Sequence, residues 1–238
     1  MAKTLRPSLW MRLAALTVLA AALGYIEASI VVYLREVIVP VRQLHYPDAA
    51  REVLPLLTLA QLTQAGPEVA RLLNLERVRE LAAVIVLAAM ALGLRRRRGE
   101  GLAFFMIGFA VWDILYYVFL KVLIGWPASP ATWDVLYLVP IPWVAPVWAP
   151  VAVSLTLLIA GLVALARRRG EISAAAKLIA SLTALAGVAL ILVSFMLRVR
   201  QAVGGVPEGF DWPWFLAGWL LGAAGLFWLT ARPSTRGR

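Results

Sequence analysis

GLAFFMIGFAVWDILYYVFLKVLIGWP, Gly101 to Pro127, is long and apolar enough to cross a bilayer, yet it carries Asp113 and Lys121 inside it. Asp113, Tyr117 and Lys121 stand at i, i+4 and i+8, so a helix sets them on one stripe. An ionisable side chain at the centre of a membrane helix costs roughly 2.5–3.5 kcal/mol on insertion scales. Such a group faces protein or water rather than lipid. The stretch reads as a membrane helix lining a polar site, and its neighbours are read from there.

The whole chain supports that setting. It is 62% hydrophobic with a mean hydropathy of +0.83, against about 45–50% apolar residues in soluble domains. The expected class is an all-α integral membrane protein, one transmembrane domain over residues 1–238. The chain has no cysteine, which excludes disulfides, thiolate metal sites and cysteine nucleophiles. Its single histidine, His45, excludes a multi-His metal centre and bis-His haem ligation within the chain.

Upstream of Gly101, RRRRGE at 95–100 closes a span expected at about 76–94. Before it, residues 39–75 form a mixed outer loop. Asp48 after Pro47 predicts a short amphipathic helix, about 48–63, lying at the interface. Gly66-Pro67 breaks it, and Pro67 suits the first turn of a new helix running into the span. The first span, about 10–38, follows a basic start like that of a signal peptide. Its apolar run is too long for one, so it is expected to remain as an uncleaved helix, with Glu27 inside.

Downstream, WPASPATWDVLYLVPIPWVAPVWAP at 126–150 has prolines at 140, 142, 146 and 150, which preclude a regular helix up to there. It is expected to fold back as an outer loop. The remaining spans are expected at about 146–166, 174–197 and 213–231. The last carries Gly218, Gly222 and Gly225, a face for close helix contact and for a homo- or hetero-oligomer. RRRGE at 167–171 repeats the turn at 95–100, which two short cytoplasmic loops under one charge rule explain.

The net charge of +10 does not point to nucleic acid. With six spans and the N-terminus inside, the cytoplasmic ends and loops hold 14 of the 23 basic residues and 2 of the 13 acidic ones. That asymmetry predicts an inner (plasma) membrane protein with both termini cytoplasmic. Six tryptophans (126, 133, 143, 148, 212 and 214) fall at the expected outer interface, as a belt would.

Depth brings the polar groups together. At about 1.5 Å per residue, Glu27 lies about 22 Å past Arg12, Glu80 about 22 Å before Arg95, and Asp113 about 18 Å past Gly101. In a core about 30 Å thick, three spans each place one carboxylate at nearly one level. Arg35, Arg77, Arg79 and Lys121 lie nearer the outside. The expectation is an outward-open polar cavity among the first three spans, roofed by the outer loops. Its candidate ligand-binding residues are Glu27, Glu80, Asp113, Tyr117, Lys121, Arg77 and Asp134. The competing reading pairs the carboxylates with Arg77, Arg79 and Lys121 simply to hold helices together.

Three function classes fit this pattern. The favoured one binds a small polar or amphiphilic molecule for transport, with membrane lipids as its surroundings. The second is a membrane-embedded enzyme acting on a lipid or isoprenoid, with carboxylates as acid and base, or with Glu27, Glu80, Asp113 and His45 holding a hard divalent cation. The third is an accessory subunit of a larger complex. No HExxH, GxSxG, P-loop or aspartate-rich prenyl-diphosphate motif is present to name a cofactor.

Overall fold

A computed structural model describes residues 7–49, 51–97, 99–166 and 173–231. The basic groups at 3, 6, 98, 167–169, 232, 236 and 238 lie outside them, and so does the whole RRRGE turn at 167–171.

Helix α1 spans Leu9–His45 and is capped by Ser8, whose hydroxyl accepts the Met11 N–H at 3.2 Å. It runs through Pro40 and outlasts the expected 10–38. Its 37 residues rise about 55 Å, more than a hydrocarbon core of about 30 Å can hold. Its C-terminal turns therefore serve as a post for the loop that follows it. Arg42, almost fully buried there, donates to the carbonyls of Ala49 (3.0 Å), Val53 (3.3 Å) and Pro55 (2.5 Å).

That arrangement replaces the interfacial helix expected at 48–63. Only a 3-10 turn, Pro47–Ala49, and a short helix, α2 (Leu59–Gln64), form. Pro55 explains the break, because it has no N–H and its ring clashes with a preceding helical turn. Between the two, Leu56 N–H reaches the Ala202 carbonyl at 2.6 Å. Helix α2 starts only after that, at a capping box in which Thr58 and Gln61 each satisfy the other's N–H.

Helix α3, Pro67–Leu94, is continuous, with Pro67 in its first turn behind Gly66 at φ 111°. Helix α4, Glu100–Ile124, ends where Gly125 turns left-handed at φ 71°. Helix α5 is Trp148–Ala166, α6 is Ala174–Met196, α7 is Val199–Ala202 and α8 is Trp212–Ala231. At the α3–α4 turn, Arg12 of α1 donates to the Leu94 carbonyl at 2.9 Å and to Glu100 at 2.8 Å, tying three helices together.

Five of these segments are long and apolar enough to cross a membrane: α1, α4, α5, α6 continued to Ala202, and α8. The stretch expected as a further span, 76–94 of α3, is not among them. It opens with Glu76, Arg77, Arg79 and Glu80.

The segment before α5 is a β-hairpin, so the fold is not wholly helical. Strand β1, Trp133–Tyr137, pairs antiparallel with β2, Trp143–Pro146, with Asp134 opposite Ala145 and Val135 opposite Val144. The register slips between Val135 and Tyr137. Prolines 140 and 142 lie in the connection and Pro146 at the strand end, where no ladder N–H is needed.

Helix α4 is central, with α1, α3 and α5 packed on it, while α6 packs on α8. The expected tryptophan belt is partly core. Trp148 stacks on Trp212 at 4.2 Å between ring centres, and Phe210 and Phe215 meet Trp148 edge-on. Trp212 and Trp214 remain half-exposed.

The Gly218, Gly222 and Gly225 face is covered within the chain, against α6. A Cβ built on Gly187 would come within 2.6 Å of the Gly218 carbonyl oxygen, and one on Gly225 within 2.7 Å of the Ala180 oxygen. Only glycine lets the two backbones meet this closely.

Candidate functional site

Two helical stripes and the hairpin build the site. On α1, Glu27, Val31, Arg35, Ile38 and Arg42 recur every three or four residues and so share a face. On α3, Leu73, Glu76, Arg77 and Glu80 do the same. Between these faces, the loop after α1 and the hairpin lies a cavity of about 360 Å³. Its walls are largely apolar, with Leu34 and Ile38 from α1, Leu73 from α3 and Leu138 beyond β1. Charged groups interrupt them, among them Arg35, Arg77, Glu80 and Asp134.

The expected site residues divide. Glu80, 7% exposed, lines the cavity and accepts the Leu138 N–H at 3.0 Å, which fastens the segment after β1 to α3. Arg77 lines it too, exposed, and donates to the Asn74 amide oxygen at 3.2 Å. Asp134, 3% exposed, lines it from β1 and accepts the Tyr117 hydroxyl at 3.0 Å.

Glu27 is not among the lining residues. It is paired with Arg79, which also grips Glu76 at 2.5 and 2.8 Å. Asp113 is turned to α5, where Ser154 Oγ donates to it at 2.7 Å. Lys121 donates to the carbonyls of Gly125 (2.9 Å) and Pro127 (2.8 Å) and so caps the end of α4. The three expected carboxylates therefore do not share one chamber, and the Asp113–Tyr117–Lys121 stripe serves three separate partners. Among the described residues no three His, Asp or Glu side chains are placed to hold a metal ion, so the set Glu27, Glu80, Asp113 and His45 is not assembled.

Two contributors carry more of the site than sequence reasoning assigned them. Arg79 is the shared counter-ion of Glu27 and Glu76, and its spacing of three from Glu76 was the available signal. Arg35 lies over the Trp126 ring, 4.0 Å from its centre. Its place on the Glu27–Val31–Ile38–Arg42 stripe marked it as facing protein.

Burial pushes the Asp134 carboxyl up to about 6, against the opposing pull of Arg35, the Tyr117 hydroxyl and the Val135 N–H. A raised acid pKa means the folded chain holds a proton that the unfolded chain has released, between about pH 4 and 6. Stability is then lost as pH rises through that window, by up to ~3 kcal/mol. Asp134→Asn keeps an acceptor for Tyr117 and removes the charge. The variant should match the parent's thermal midpoint near pH 4 and exceed it above pH 6. A constant difference across that range would contradict the assignment.

Mostly helical, with five helices apolar and long enough to span a bilayer, the chain fits the class of α-helical membrane proteins. Comparison with protein families, curated proteins and solved structures finds no match to this chain.

Proposed function

We propose that this is a six-span inner-membrane protein, N- and C-termini cytoplasmic, which binds a small amphiphilic molecule in the cavity between α1, α3 and the hairpin and passes it into or across the membrane. In this reading the 76–94 part of α3 is the sixth span. Its charged first turns lie at the outer level, bound to α1 and the hairpin rather than to lipid. The basic excess at the opposite ends supports that orientation.

The observation that carries the binding reading is the cavity's make-up: continuous apolar wall broken by charged heads from three elements. Ligand sites typically enclose about 300–1,000 Å³ with a few placed polar groups. The enzyme reading draws less support. The carboxylates it rested on are not brought together, since Glu27 is paired with Arg79 and Asp113 faces Ser154, and the two that do line the cavity, Glu80 and Asp134, are engaged by the Leu138 N–H and the Tyr117 hydroxyl.

Because the chain has no cysteine, single cysteines report cleanly. A cysteine at Leu138 should react with an impermeant maleimide from the outer side, and one at lipid-exposed Leu162 should not. In proteoliposomes, a fluorescent amphiphile should change leaflet faster with the parent protein, and Leu34→Trp, which fills the cavity, should abolish the gain. Equal rates with and without protein would end the transport proposal.

A further inference from the structure

The cavity's charges are of both signs, and although Arg35 pulls on Asp134 through space, no salt bridge joins them among the described residues. Arg35 and Arg77 line it, and so do Glu80 and Asp134, yet none of the four belongs to an ion pair among the described residues. Opposite charges a few ångströms apart in a partly buried space attract strongly. Side chains free to move across one small space would be drawn together.

Here the direct contact each one makes is with an uncharged group. Arg35 lies on the Trp126 ring. Arg77 donates to the Asn74 amide oxygen. Glu80 holds the Leu138 N–H, and Asp134 holds the Tyr117 hydroxyl. Of the other ionised groups around the cavity, Glu52 is exposed and acts on Arg42 by charge alone, and the rest are engaged elsewhere. Glu76 is on Arg79, Arg51 on Glu36, and Arg42 on loop carbonyls.

A ligand of one charge answers half of this arrangement. An anion suits the guanidinium groups but meets two carboxylates. A cation suits the carboxylates but meets two arginines. Resting on the binding function above, we infer that the cavity takes a zwitterionic amphiphile. Its phosphate or carboxylate meets a guanidinium of this set, its ammonium meets a carboxylate, and its chain lies along Leu34, Ile38 and Leu73.

Native mass spectrometry of the purified chain, exchanged against defined lipids in mild detergent, tests this. Phosphatidylethanolamine, which carries both charges, should be retained at least tenfold over anionic phosphatidylglycerol and over uncharged diacylglycerol. Glu80→Gln should bring phosphatidylethanolamine down to the phosphatidylglycerol level. Arg77→Gln, at an exposed position, should lower retention of both phospholipids and does not depend on Glu80→Gln folding. Glycerophosphoethanolamine, the head without chains, should compete at least tenfold more weakly than the lipid.

Phosphatidylglycerol retained as well as phosphatidylethanolamine, an unchanged ratio in Glu80→Gln, or unchanged retention of both in Arg77→Gln, overturns the inference and leaves amphiphile binding standing. Equal competition by the free head overturns the apolar half of it. Retention of no lipid by monodisperse parent protein overturns the binding function itself.

Discussion

Arg79→Gln should lower the thermal midpoint of the detergent-purified protein by roughly 10 °C, the largest effect expected from any single change near the site. Among the described residues Arg79 is the one cation paired with both Glu27 and Glu76, and the two are 9% and 7% exposed. Removing one partner of a buried ion pair costs about 3–5 kcal/mol, because the remaining charge stays buried without compensation. At this chain length each kcal/mol moves a midpoint by about 2–4 °C. Adding Glu27→Gln to Arg79→Gln removes a stranded carboxylate and should recover much of the loss. Arg79→Lys should fall between, since an ammonium cannot fork across Glu76 while also reaching Glu27. A single Arg79→Gln variant that melts within 2 °C of the parent would mean that this network does not hold α1 to α3.

Gly187→Val should part α6 from α8. A Cβ at 187 meets main-chain atoms of Gly218 and Gly222, which have no rotamer to yield. Even Gly187→Ala overpacks this contact, an error that typically costs about 1–3 kcal/mol. In lipid the loss is not offset by hydrophobic burial, since acyl tails solvate the freed faces equally well. The expected result is a lower midpoint and faster trypsin cleavage in the α6–α8 connection. Gly93→Ala is the control: nothing lies within 4 Å of its built Cβ. It should be neutral or slightly stabilising, by up to about 1 kcal/mol. Equal behaviour of the two variants would refute the close-contact account.

Much of this architecture could be read from residue order alone, because hydrophobic length and basic turns are local signals. The helices near 101–126, 146–166 and 174–197 begin and end within a few residues of where apolar length put them. The hairpin was hidden because prolines 140, 142 and 146 argue against any hydrogen-bonded element, and only the pairing with β2 shows that they avoid the ladder. Pro55 was a legible warning against a helix at 48–63, outweighed by the apolar pattern around it.

For the site, depth and direction separated. Rise per residue put Glu27, Glu80 and Asp113 at one level, and nothing in that arithmetic fixes which neighbour each faces. Helix α4 has neighbours on several sides, so Asp113 could satisfy itself on Ser154 of α5 while Tyr117, one turn on, met Asp134 of the hairpin. Lys121 went to the end of its own helix because free carbonyls at Gly125 and Pro127 were within reach. The α1 and α3 faces were better guides, since charged and apolar residues share one side of each.

The grip of Arg42 on the carbonyls of Ala49, Val53 and Pro55 has a consequence for how this chain tolerates change. A clasp that reads main-chain oxygens is indifferent to which side chains hang from the ribbon it fastens. Swapping the exposed side chains of Arg51 and Glu52 should be forgiven, unlike the buried Leu54, whereas adding or deleting a residue there would slide every oxygen out of reach at once. The fastening of this loop is thus specified by its count of links more than by its exposed side chains.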